Sequence, residues 1–237
     1  MIIKVCGMRE PQNIREVAAL AINWIGLIFY KRSPRFVGQS PTKQLTADSG
    51  QWTVNTDAEQ LSTVNSQLST KKVGVFVNAT IESMMEKASA YRLDYLQLHG
   101  NESPETCHTL QKRGYSLIKA FPIASKEDFE KTQEYEGRVD YFLFDTKGES
   151  YGGSGKRFDW SILADYKGET PFLLSGGICP ESAEAIRNFR HPRFAGIDLN
   201  SGFEIEPGLK DIDKLKDFIQ QVSHPAVETG HAPSPTD

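Results

Sequence analysis

Short apolar runs rich in Val, Ile, Leu and Phe recur along the chain, and each leads into a stretch with helical spacing. The runs predict strands at Ile2–Cys6, Trp24–Phe29, Lys72–Val77, Asp94–His99, Ser116–Phe121, Tyr141–Asp145, Pro171–Ser175 and Arg193–Asp198. Helices are expected between and after them at about 11–20, 80–91, 104–113, 125–136, 158–165, 180–189 and 210–222. Pro104 follows Ser103, and Pro180 stands at a first helical position, both signals for a helix start. Parallel strands need a crossover connection, and a helix can fill each one. The eight strand–helix alternations predict an α/β fold, a single (β/α)8 TIM barrel, because eight is the number that closes. Periodicity alone leaves a doubly wound open sheet as an alternative.

Two regions break the rhythm. Residues 39–71 are rich in Thr, Ser, Gln and Asn, and must hold the second helix, within Asp57–Leu68, plus an irregular polar insertion. Residues 223–237 carry three prolines and few large apolar side chains, so they are expected to be a disordered tail after a catalytic domain spanning 1–222. The 237 residues suit one barrel, which typically needs about 250.

Composition narrows the function. A net charge of −4 argues against a general nucleic-acid or membrane surface. The first residues show no apolar run of signal-peptide type, and nothing reaches the length of a membrane span. Cys6, Cys107 and Cys179 are odd in number and far apart, which points to reduced thiols and a cytoplasmic protein. No histidines stand at metal-ligand spacing, so no metal site is expected.

Strands buried on both faces should be nearly continuous in Val, Ile and Leu. Here the first ends in Cys6, the fourth in Gln97 and His99, the sixth in Asp145 and the eighth in Asp198. Ligands of α/β sheets and barrels bind at that C-terminal end. A lone buried cysteine usually acts as a small hydrophobe, the reading preferred for Cys107 and Cys179. Cys6 differs: Gly7 follows it, and strand alternation puts Lys4 on its face, where an ammonium could favour the thiolate. His99 and Lys119 are each compatible with a structural hydrogen-bonding role. Asp145 could cap a helix, but the Gly-bearing segment Thr146–Arg157 that follows reads as an active-site cover.

Gly-Gly-Ser-Gly-Lys within that segment departs from the P-loop pattern, since Ser150 replaces the first Gly and Arg157 the final Ser or Thr. A better anion site lies after the last two strands, at Gly176 and Gly177 and at Asn200, Ser201 and Gly202. Glycines let backbone N–H groups approach an anion, and barrels often bind phosphate with these two loops. Tight turns alone would also explain the glycines.

Taken together, KVCGMR, GLIFYKRSPRFV, VGVFVN, LQLHGNES, FDT with YGGSGKRFDW, LLSGGI and GIDLNSGFE resemble the phosphoribosylanthranilate isomerase family of tryptophan biosynthesis. The likeness runs in order from Lys4 to about Ile219. It implies a (β/α)8 barrel that rearranges N-(5′-phosphoribosyl)anthranilate into 1-(2-carboxyphenylamino)-1-deoxyribulose 5-phosphate without a cofactor. By the same likeness Cys6 would be the general base, Asp145 the general acid and Arg35 the partner of the anthranilate carboxylate. The glycines after strand seven and Asn200-Ser201-Gly202 would hold the phosphate of this small phosphosugar, with His99 and Asp198 lining the pocket. The chain has DLNSG where the family commonly has DVSSG, which leaves Asn200 a backbone role but puts its side-chain contact in question. Two rivals stand beside this reading. Another phosphosugar isomerase barrel would favour an Asp pair and leave Cys6 and Arg35 unexplained, and a non-catalytic barrel would not require all three groups.

Overall fold

The apolar runs become strands. In the computed structural model, which describes residues 1–37, 70–146 and 160–223, they are β1 (Ile2–Val5), β2 (Trp24–Ile28), β3 (Lys71–Phe76), β4 (Tyr95–Leu98), β5 (Ser116–Ile123), β6 (Tyr141–Thr146), β7 (Phe172–Ser175) and β8 (Phe194–Leu199). Each pairs in parallel with the next, and β1 pairs with β8 in register from Ile2↔Gly196 to Val5↔Leu199. That last ladder closes the sheet into a barrel and removes the open-sheet alternative.

The helices are α1 (Pro11–Ala18), α2 (Ile81–Tyr91), α3 (Pro104–Lys112), α4 (Ala183–Asn188) and α5 (Ile212–Ser223). Thr80 caps α2 by accepting from the Ser83 N–H at 3.2 Å, and Ser103 caps α3 by accepting from Thr106 at 3.3 Å. Lys126–Tyr135 and Trp160–Asp165 are 3₁₀ turns where ordinary helices were expected. In the first, the buried residues are Phe129 and Thr132, three apart, the spacing at which 3₁₀ side chains eclipse. Pro180–Ser182 is also 3₁₀ and runs into α4. Asp57–Leu68, most of the polar insertion and residues 224–237 lie outside the described residues. Lys71 belongs to β3 and Ser223 closes α5, so both predicted segment boundaries shift by one residue.

A two-stranded antiparallel hairpin, β9 (Glu204–Glu206) and β10 (Leu209–Lys210), interrupts the expected run into the last helix. Gly208 turns it with φ of 92°, a conformation that other residues adopt at a cost. Among the described residues no helix is long and apolar enough to cross a membrane.

Strand alternation sorts the side chains into two layers. Ile3, Val5, Leu96, Leu98, Phe142, Phe144, Phe172, Leu174, Ile197 and Leu199 pack outward against the helices. Trp24, Val73, Ile118, Ala120, Leu143 and Leu173 fill the barrel interior. Trp24 stacks on Tyr95 with ring centroids 4.7 Å apart and meets the edge of Tyr141 at 5.2 Å, which plugs the N-terminal end. These three come from alternate strands, as barrel layers do. Going toward the C-terminal ends, the same inward positions become Lys4, Cys6, Gln97, Asp145, Ser175 and Asp198. The interior is apolar at the bottom and polar at the top.

Candidate active site

Cys6 follows β1 at the top of the barrel and is 4% exposed. Its N–H donates to the Leu199 carbonyl at 2.8 Å, which ties it to β8. The thiol leans over Gly26 of β2, where an added Cβ would lie 2.7 Å from Sγ. One layer below, Lys4 Nζ donates to Asp198 Oδ1 at 2.8 Å, with both side chains buried. Burial would discharge Lys4, but Asp198 and Cys6 outweigh it and hold the ammonium above its ordinary range. Burial pushes the Cys6 thiol up; Lys4 and Lys210 oppose that shift, while Asp198 reinforces it. Lys4 thus favours the thiolate, but burial is the larger effect and keeps the thiol above its ordinary range.

Asp145 ends the inward face of β6 with its side chain about one-third exposed, next to His99. His99 Nε2 lies 3.8 Å from Asp145 Oδ2, beyond hydrogen-bond reach. On its other side, Nδ1 meets the amide nitrogen of buried Gln97 at 2.8 Å, a contact that turns the ring toward Asp145. Asp198 also approaches Ser175 Oγ at 3.5 Å, so it bridges β8, β1 and β7 within the interior. Residues 147–157 of the expected cover lie outside the described residues.

Arg35 crosses above Gly7, whose φ of 75° and lack of Cβ leave room for it. A Cβ there would stand 2.5 Å from Arg35 Cδ and 2.7 Å from Asn200 Oδ1. The guanidinium forks onto Glu204 through Nε–Oε1 at 2.8 Å and Nη2–Oε2 at 2.5 Å. Lys210 Nζ donates to the same Oε1 at 2.6 Å and to Asn200 Oδ1 at 2.8 Å. Burial alone would lift the Glu204 carboxyl, but Arg35 and Lys210 overturn that and hold it below the usual carboxylate range. The side-chain oxygen of Asn200 is thus occupied by Lys210.

Gly176 and Gly177 follow β7 with φ of 89° and 62°, left-handed values that suit glycine. Gly202 sits in the 3₁₀ turn Ser201–Phe203 after β8, so close to the Ile178 carbonyl that a side chain would collide with it. The two loops proposed for phosphate therefore pack against each other, beside Asn200 and Gly7.

The chain has recognisable relatives. Residues 42–221 match the family model described as N-(5′-phosphoribosyl)anthranilate (PRA) isomerase. An N-(5′-phosphoribosyl)anthranilate isomerase of Parabacteroides distasonis is 81% identical over 236 residues, covering 100% of both chains. The chain belongs to the phosphoribosylanthranilate isomerase family. It is an isomerase of tryptophan biosynthesis that acts on phosphoribosylanthranilate. The fold agrees with the crystal structure of the Thermotoga maritima isomerase, with a TM-score of 0.73, 30% identity, and coverage of 94% of this chain and 98% of that one. A second solved structure, of a phosphoribosyl anthranilate isomerase in complex with reduced 1-(o-carboxyphenylamino)-1-deoxyribulose 5-phosphate, has a TM-score of 0.73 and 27% identity over the same shares of the chains.

The family match begins after Cys6 and Arg35, which the full-length relative covers. Several residues around this barrel mouth have partners that the sequence does not reveal. Glu204 ends the GIDLNSGFE segment and Lys210 is a single charge beyond it, and only the hairpin brings the two together. Lys119 faces outward from β5, donating to the carbonyls of Leu98, Gly100 and Ala120 at 3.2, 2.7 and 3.1 Å. Its ion-pair partner Glu102, at 3.5 Å, accepts from the N–H groups of Asn78 and Gly100 at 2.7 and 2.9 Å. This buried pair clamps the loop after His99 and settles Lys119 as a support outside the pocket. Cys107 is packed in the outer core as expected. Cys179 is only partly buried, and stands at the start of the Pro180 turn, with its N–H donating to Ser182 Oγ at 3.2 Å.

Proposed function

We propose that the isomerase works by an acid–base Amadori rearrangement, with Asp145 as general acid and Cys6 as general base. The observation that carries this reading is their common placement. Both face inward at the C-terminal ends of barrel strands, around the mouth that Arg35 and the two glycine loops also border.

The chemistry demands two proton transfers. Asp145 protonates the ribose ring oxygen, so the ring opens and C1′ becomes an iminium carbon. Cys6 then removes the C2′ proton, and the resulting enolamine tautomerises to the ketone. C1′ is reduced as C2′ is oxidised, so the electrons balance within the substrate and no external redox partner is required. The raised Cys6 affinity for protons fits this order. A thiolate is costly in the empty site, but a bound iminium places positive charge beside it and reduces that cost. Each positioned group is worth about 10²- to 10⁴-fold in rate.

Arg35 is the anchor for the anthranilate carboxylate, suited by the planar fork of its guanidinium. Gly176, Gly177, Asn200, Ser201 and Gly202 form the phosphate end, chiefly through backbone N–H groups. The complex of the related isomerase with a carboxylated phosphosugar supports such a two-ended pocket. His99 and Asp198 line its wall. Three free thiols and the acidic net charge support a cytoplasmic setting without nucleic-acid partners.

The decisive experiment follows loss of substrate fluorescence with wild type, Cys6→Ala and Asp145→Asn. Both variants should fold and lose at least about a hundredfold in kcat. Near-normal turnover in folded Cys6→Ala would remove the proposed base.

A further inference from the structure

We propose that Glu204 is a positioning residue that grips the Arg35 guanidinium along its Nε–Nη2 edge and presents the Nη1–Nη2 end to a ligand carboxylate. The inference rests on the reading of Arg35 as the carboxylate anchor and adds the device that aims it. A guanidinium carries five N–H donors, enough for a fork on its side and another on its end. Glu204 uses the side fork, at 2.8 and 2.5 Å, and leaves the end fork for a second carboxylate.

Glu204 is built as a fixed support. Its side chain is 5% exposed, and Oε1 also accepts from Lys210 Nζ at 2.6 Å and from the Gly208 N–H at 3.1 Å. Lys210 is itself sealed, with its main chain bound in both directions to the Asn13 side chain at 2.8 and 2.9 Å. Because the hairpin is pinned to α1, the carboxylate cannot swing away as a latch would.

Charge balance points the same way. Glu204 lies between Arg35 and Lys210, so the three groups together carry one positive charge. That surplus can attract a carboxylate without leaving two unshielded cations in the empty site. Lys210 in turn holds the Asn200 side chain, so the same hairpin supports the residue that opens the phosphate loop. A side chain gripped in this manner enters the complex with little rotamer entropy left to lose.

The test is a double-mutant cycle on the full chain with steady-state kinetics on phosphoribosylanthranilate. Glu204→Gln should raise KM about tenfold, by freeing Arg35 to wander, and leave kcat within about threefold. Arg35→Ala should raise KM about a hundredfold, and adding Glu204→Gln to it should change KM by less than about twofold. Glu204→Asp keeps the buried charge but is too short to hold the edge, so it serves as a second variant if Glu204→Gln does not fold. It should show the same Arg35-dependent rise in KM.

A normal KM in Arg35→Ala would overturn the anchor reading itself. A defective Arg35→Ala combined with a Glu204 penalty that persists undiminished in the double variant would overturn only the positioning role. A lower KM in Glu204→Gln would also overturn it, by showing that Glu204 competes with the ligand for Arg35.

Discussion

Lys4 and Asp198 face each other at 2.8 Å across the seam where β1 meets β8, sealed from water directly beneath Cys6. The pair closes the barrel electrostatically where the last ladder closes it geometrically. Removing one partner strands the other charge in a low-dielectric interior. Lys4→Met should therefore cost roughly 3–5 kcal/mol of stability. Urea unfolding checks this, as a lower midpoint with an unchanged slope.

Gly26 leaves the space that Cys6 Sγ occupies. Gly26→Ala would place a methyl group 2.7 Å from Sγ and 3.0 Å from the Cys6 Cα. The thiol must move to relieve that contact, and if Cys6 is the base as proposed, misplacement on the 1 Å scale can cost about a hundredfold in kcat. The expected result is a folded enzyme with a kcat lowered by that order and a much smaller change in KM. A crystal structure of the variant would show Sγ displaced from the pocket axis.

The alkaline behaviour follows from thiols pushed up by burial. Cys107 is held at about 11 by its apolar surroundings, and Cys6 is shifted in the same direction by burial in the site. In the unfolded chain both would ionise near the ordinary value of about 8.5. Their contribution to stability is fully present below that value and declines as pH rises through the folded range, up to about 11 for Cys107. Urea titrations from neutral to alkaline pH should show this loss, with Cys107→Val flattening its share. For the free enzyme, kcat/KM should keep rising past the point where an ordinary cysteine would have levelled off.

Lys119 and Glu102 form a second buried pair, outside the pocket. Lys119→Met leaves the Glu102 carboxylate uncompensated and frees the carbonyls of Leu98, Gly100 and Ala120. The expected outcome is a stability loss of roughly 3–5 kcal/mol. Hydrogen exchange should speed up first at Gly100 and its neighbours, the backbone that carries His99.

Periodicity carried the architecture a long way. Alternating apolar runs and helical stretches suffice for eight parallel strands, because each local pattern agrees with the global one. The expected helix at 125–136 became a 3₁₀ turn, since only Phe129 and Thr132 needed burying. The hairpin at Glu204–Lys210 escaped notice because its strands are too short to show an alternation.

For the site, the sequence by itself determined which side chains stand at strand ends. Polar residues such as Cys6, Gln97, Asp145 and Asp198 are conspicuous in runs that should be apolar, and the period of two assigns their face. It also marked the glycine loops, since a residue without a Cβ adopts a left-handed turn at the least cost. Tertiary structure alone decided which of these groups balance one another. Lys4 and Asp198 are 194 positions apart, and Arg35 and Glu204 are 169 apart. Closure of the barrel makes each pair neighbours, and Cys6 feels several of these groups at once: Lys4 and Lys210 pull its thiol down while burial and Asp198 push it up. No local pattern encodes that outcome, because the field at a buried atom sums contributions from strands that meet only when the chain has folded.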